Sequence, residues 1–237
     1  MKTALTLIIL VGLILLTLLI ASFFKNKKKV DTVPTKPTQR DVLLITGQSF
    51  VDTLTELGYF KYTDTKNLDT LKKEIENVFD KVKVLTTLSY ENPRFQPFCY
   101  RLYSCDGETL FELGGIEDYL NDIKPTFDKL NIPLQWKEDY FSEDAKEHSI
   151  VINQKKYFLF KGDPNDLRAW GIATKNFVEI INDQLTVHNS DERVYPILFN
   201  NDGHIIFLTD KQYNYVSQYL DKTERPMEIN FWWQTFK

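Results

Sequence analysis

Apolar and polar positions alternate in three distinct ways along this chain. The first is an unbroken run, ALTLIILVGLILLTLLIASFF, over residues 4–24. It has no charge, and Thr6, Thr17 and Ser22 are its polar residues. As a helix it would reach about 31 Å, roughly the thickness of a bilayer core, so it predicts a transmembrane helix. It is longer than the apolar core of a signal peptide, and Leu19 and Ala21 fit a small-x-small cleavage site poorly, which favours an uncleaved anchor.

The second pattern is helical. Phe50, Val51, Leu54 and Leu57 share one face of a predicted helix over 48–57 that Gly58 ends. Leu68, Leu71, Ile75, Val78 and Val82 predict a second over 67–82, with Asn67 as its cap. Ile116, Tyr119, Leu120, Ile123, Phe127 and Leu130 continue at the same spacing, with Pro125 expected to split them. Asp163-Pro164-Asn165-Asp166 reads as the start of a long helix whose apolar stripe is Leu167, Trp170, Thr174, Phe177, Ile181 and Leu185. Thr209 or Asp210 caps a last predicted helix with Tyr213, Val216 and Leu220 inward.

The third pattern is strand-like. DVLLIT at 41–46 predicts a buried strand. FCYRLYSC and ETLFEL flank Asp106-Gly107, which predicts a hairpin with a type I′ turn. LQWKEDYF at 134–141 predicts a further strand. SIVIN and KYFLF predict a second hairpin, and VYPILF with HIIFLT a third, within 194–209. In INFWWQTF, Ile229, Phe231 and Trp233 alternate with Asn230, Trp232 and Gln234, the pattern of a half-buried strand. Hairpins alternating with helices predict an α+β fold: an N-terminal transmembrane helix, then helices packed on a mainly antiparallel sheet built of hairpins.

These patterns divide the chain into a membrane anchor with a basic flank (1–29), a Pro- and Thr-containing linker (30–40) and a globular α+β domain (41–237). The domain could form two lobes, 41–132 and 133–237. Charge adds an address. Lys25, Lys27, Lys28 and Lys29 follow the apolar run, and Lys2 precedes it. A Lys/Arg excess marks the cytoplasmic side, which predicts a single-pass cell-membrane protein with a cytoplasmic domain and the bilayer as partner of residues 4–24. Residues 1–40 hold seven Lys/Arg and one acid, so 41–237 carry 22 basic and 32 acidic residues. A net charge of −10 there disfavours nucleic acid as a partner.

Candidate chemistry is thin. Cys99 and Cys105 sit on one predicted strand, about 20 Å apart if extended, beyond disulfide reach, so both are expected as free thiols. His148 and His188 fall in polar segments and read as solvated, and His204 reads as structural. No metal spacing, Walker loop or nucleophile elbow occurs, so no cofactor or metal is expected. Glu138, Asp139, Glu143, Asp144, Asp163, Asp166 and Asp202 fall at caps, turns and polar loops. Tyr215 and Tyr219, one turn apart and off their helix's apolar stripe, could form an aromatic partner-contact patch with Trp232. These features predict a membrane-tethered, non-catalytic protein-binding domain, one version being an inhibitor- or immunity-type protein. The alternative is a membrane-anchored hydrolase using a carboxylate pair between two lobes.

Overall fold

The structure is a computed structural model that describes residues 45–85, 90–91, 96–144, 146–197 and 202–235. All of these belong to one compact unit beginning at Gln39. The predicted anchor 1–29 with its four lysines, the linker 30–40 and most of the strand 41–46 lie outside the described residues. Among the described residues no helix is long and apolar enough to cross a membrane.

Thr46 caps the first helix, α1 (Gly47–Glu56), by accepting from the Ser49 amide at 3.2 Å. Gly58, at φ +72°, reverses the chain into a 3₁₀ turn, Tyr59–Tyr62. Helix α2 (Thr65–Val82) buries Leu71 and Ile75 of the predicted stripe and, beside them, Phe79, while Val82 at its end is exposed; Asp64 rather than Asn67 stands at the cap position. Its Phe79 stacks on Phe50 of α1 with ring centroids 4.0 Å apart.

A two-residue ribbon, β1 (Tyr90–Glu91) with β2 (Gln96–Pro97), precedes β3 (Leu102–Asp106). The predicted hairpin at Asp106-Gly107 is not formed. Asp106 instead caps a short helix, α3 (Gly107–Phe111), accepting from the Glu108 amide at 2.8 Å. Gly107 allows this helix to lie close to the chain at Trp170, whose carbonyl oxygen would stand 2.8 Å from an added Cβ. Helix α4 (Gly115–Lys129) runs through Pro125 without splitting. The proline forfeits one backbone bond and crowds the preceding turn, a cost of about 3 kcal/mol. Burial of Ile116, Leu120, Ile123 and Phe127 on the same helix, at roughly 1.5–3 kcal/mol each, outweighs that.

Strands β4 (Trp136–Ser142), β5 (Glu147–Ile152) and β6 (Lys155–Lys161) form one antiparallel sheet in the order β4-β5-β6. The predicted hairpin is present, and its turn is Asn153-Gln154. Both residues have positive φ, 46° and 70°, as a type I′ turn requires. Helix α5 (Ala169–Val187) starts six residues after the predicted cap, so Leu167 falls in the loop before it and is exposed instead of facing inward on the stripe. Asp163 closes a turn of its own first, accepting from the Asn165 amide at 3.1 Å. Strands β7 (Glu192–Ile197) and β8 (Asp202–Thr209) form the predicted hairpin. Thr209 then caps α6 (Asp210–Tyr219) in a reciprocal box with Gln212. The last segment is a helix, α7 (Ile229–Thr235), not the predicted strand.

The second sheet has the order β3-β8-β7, with β8 in the centre and every pairing antiparallel. It joins a strand from 41–132 to two from 133–237. Both its faces are covered, as the continuous apolar run HIIFLT requires. Ile205 and Phe207 enter a core shared with α4, α5 and the β4-β5-β6 sheet, while Ile206 and Leu208 enter another shared with α1, α2 and α6. Among the described residues the fold is α+β, with seven helices and two antiparallel three-stranded sheets.

Candidate functional site

The aromatic residues at the C-terminus are divided between core and surface by the helical form of α7. Trp232, expected on an open strand face, is 2% exposed. Tyr215 packs on Phe50 at 5.4 Å between centroids, and Tyr219 lies beside Tyr215 at 5.0 Å. Both tyrosines rest against the core beneath α1 and α2, whereas Ile229, at the start of Trp232's helix, packs on the other core. Burial pushes the Tyr215 phenol up to about 12. The residue that α7 turns outward is Phe231, 56% exposed.

Phe231 forms one wall of a groove of about 490 Å³ between α6 and α7. Tyr213 and Ser217 of α6 form the other wall, with Pro226 and Met227 between them. Lys222, Arg225 and Glu228 supply its charges. Local bonds shape it. Asp221 accepts from the Thr223 amide at 3.0 Å, Arg225 Nε donates to the Leu220 carbonyl at 2.7 Å, and the Met227 amide donates to Pro196 of β7 at 2.9 Å. Tyr213 is held by stacking on Tyr195, 4.2 Å away. Burial, and after it the Glu228 carboxylate, raises the Tyr213 phenol above its ordinary value. A groove of this size with a mostly apolar wall and few charges has the make-up of a binding site.

Elsewhere the ionisable side chains are bonded to one another. Arg101 is fully buried. Its Nη1 and Nη2 donate to the two oxygens of Glu192 at 2.8 and 3.1 Å, its Nε to the Tyr59 carbonyl at 2.6 Å, and Nη1 also to Phe207 at 2.8 Å. Tyr62 donates to Glu192 at 2.9 Å, and Lys61 reaches the same carboxylate at 3.0 Å from the surface. Burial alone would push the Glu192 carboxyl up, but the Arg101 and Lys61 charges outweigh it and hold the group below its ordinary value.

His148, expected in solvent, is buried on β5. Its Nε2 lies 2.7 Å from Asp139 Oδ1 and its Nδ1 3.2 Å from the Phe111 carbonyl. Asp139 Oδ2 accepts from the Gly114 amide at 2.8 Å. Both ring nitrogens thus lie against oxygens of neighbouring residues. Phe141 meets the imidazole edge to face, centroids 5.6 Å apart. His188 ends α5 with Nδ1 2.9 Å from the Gln184 carbonyl, and His204 lies on β8, its pKa lowered by burial.

The remaining acids are dispersed. Glu138 pairs with Lys137 at 2.7 Å, Asp166 binds Arg168 at 2.9 Å, and Glu143 and Asp144 occupy a turn. Asp202 opens β8 opposite Asp106. Asp183, unremarked in the sequence, accepts from Tyr157 and from Lys155 at 2.9 Å, and these bonds, that of Lys155 first, hold its carboxyl below the ordinary range. Among the described residues no group of three or more His, Cys, Asp or Glu is placed to hold a metal ion. Both cysteines are free and buried, as expected, although Cys99 lies in a turn before β3 rather than on a strand. Burial pushes both thiols up, away from the thiolate a nucleophile needs.

Arg101 and Glu192 were not singled out as a pair by their residue pattern, and an arginine inside the apolar run FCYRLYSC was the one available signal. The groove had no signal, because its walls come from a helix, a loop and a segment that reads as a strand. The chain matches no protein-family profile, no curated protein and no solved structure.

Proposed function

We propose that this chain is a non-catalytic protein-binding domain, held at a membrane by residues 4–24 with Lys25, Lys27, Lys28 and Lys29 against cytoplasmic headgroups. An inhibitor- or immunity-type role is one form of it. The observation that carries the reading is the groove between α6 and α7, with Phe231 open to solvent on its wall. Exposed aromatic anchors beside apolar hollows are where protein interfaces concentrate their energy. The buried Arg101–Glu192 and His148–Asp139 pairs add support: their bonding capacity goes to the fold, not to a substrate. A net charge of −10 beyond residue 40 turns the domain away from nucleic acid.

The test is capture by the full-length chain from solubilised membranes, run beside an anchor-only control and a Phe231→Ser chain. A protein enriched over the control and lost with Phe231→Ser is the expected result. Enrichment no greater than the control removes the reading.

A further inference from the structure

Leu167 is 99% exposed, the largest exposure of any large apolar side chain among the described residues. It stands at the tip of the 163–168 loop, and that loop is held by its own bonds. Asp163 accepts from the Asn165 amide at 3.1 Å and its carbonyl from the Asp166 amide at 3.0 Å. Asp166 accepts from the Arg168 amide at 2.9 Å and from the Arg168 guanidinium at 2.9 and 3.2 Å. The Ala169 amide closes the base on the Asp166 carbonyl at 2.8 Å. An apolar knob is thereby presented on a preorganised loop, so little conformational freedom is lost when it docks.

The groove between α6 and α7 is the complementary shape. It is apolar on Met227, Pro226 and Phe231, and its 490 Å³ admits a leucine with flanking backbone. The charges match as well. The loop carries two carboxylates, Asp163 and Asp166, against one guanidinium, Arg168; the groove carries two cations, Lys222 and Arg225, against one carboxylate, Glu228. Leu167 does not enter the groove of its own chain, because there it is almost wholly in solvent.

We infer that the groove receives the Leu167 loop of a second copy of this chain, with Asp163 and Asp166 facing Lys222 and Arg225. The inference rests on the binding reading above and names its partner. The contact is head to tail: each chain that offers a loop still has an open groove, so copies add in a row unless the rotation closes a ring. Chains held in one membrane, as the proposed anchor would hold them, meet at raised local concentration, which favours a weak contact of this kind.

Two full-length variants separate the two halves of the contact. Leu167→Asp removes the knob and leaves the groove. Lys222→Glu with Phe231→Asp spoils the groove and leaves the loop. All three positions are exposed, and thermal melts like the wild type's will show that the fold is kept. In detergent, the wild-type chain is expected to gain mass with concentration, and each variant alone to weaken self-association about tenfold or more. Mixed in equal amounts, the two variants are expected to form a one-to-one dimer, since one good loop then meets one good groove. A wild-type chain that remains monomeric at its highest concentration overturns the inference, as does unaltered assembly by Leu167→Asp or a mixture that does not pair. Loss of a different captured protein with the groove variant but not with Leu167→Asp, alongside a monomeric wild type, overturns self-docking and leaves the binding reading standing.

Discussion

Arg101–Glu192 and His148–Asp139 are both side-chain pairs set into the fold, and the two regions satisfy their bonding differently. Arg101 bridges β3 to β7 past the central strand, and its guanidinium makes four bonds, two of them to backbone carbonyls. Glu192 is shared with Tyr62 and with Lys61, whose side chain is 42% exposed, so the network reaches the surface at one end. His148–Asp139 is smaller and more local. It joins β4 to β5, nine residues apart, and ties the turn before α4 to the same carboxylate through the Gly114 amide. A permanently charged guanidinium must be surrounded by acceptors, and here the fold supplies them from three elements, the Tyr59–Tyr62 turn, β7 and β8. The imidazole of His148 meets two oxygens and an aromatic neighbour.

The comparison breaks most visibly at Glu192. Glu192→Ala is expected to destabilise the fold by about 3–5 kcal/mol, because Arg101 remains charged and buried without its partner. Arg101→Met with Glu192→Leu should cost less than the two single changes added together, since no charge is then left unpaired. Urea unfolding of the wild type, Glu192→Ala, Arg101→Met, Glu192→Leu and the double variant checks both statements; a strictly additive result would mean the pair is not coupled.

Asp139→Ala should cost less, about 1–3 kcal/mol, because it strands His148 Nε2 and the Gly114 amide but leaves no permanently charged group buried. The same unfolding series measures it. A loss as large as that of Glu192→Ala would remove the distinction drawn between the two pairs.

Acid sharpens the contrast by a smaller amount. Glu192 titrates below its ordinary value in the fold, so its contribution is complete above the unfolded glutamate value of about 4.3 and fades as pH falls through the lower folded value. Between pH 6 and pH 4 the wild type should lose up to about 0.6 kcal/mol relative to the Arg101→Met, Glu192→Leu chain. A gap that widens in the other direction would contradict the sign of that shift.

The smallest effect is expected where the charges never leave water. Lys124–Asp128 is a one-turn pair with side chains 42% and 60% exposed. Lys124→Ala should change stability by no more than about 0.5 kcal/mol, and salt should mask the difference.

The same residues show how far local pattern reaches. Helix α2 was legible because Leu68, Leu71 and Ile75 recur at helical spacing, and α6 because Thr209 and Gln212 form a box within four residues. The β7-β8 and β5-β6 hairpins were legible because each strand's partner is its neighbour in the chain. Asp106-Gly107 misled because Asp is as good a helix cap as a turn residue, and the strand before it had a distant partner available. His148 misled because SEDAKEH is polar, while its burial depends on β4 bringing Asp139 opposite it and on Phe111 and Phe141 closing over it.

Periodicity, caps and adjacent hairpins are properties of a few consecutive residues, so sequence alone determined the α+β class, the helix faces and two of the strand pairings. Tertiary structure decided what depends on partners far along the chain. β3 chose β8, some hundred residues away, over its own neighbour, and that choice brought Arg101 to Glu192 and buried both faces of the sheet. INFWWQTF alternates like a strand but coils into α7, where Trp232 is buried and Phe231 faces out. A strand needs a free edge to pair with and a helix satisfies its own backbone, so the surroundings of this segment, and not its pattern, set its form.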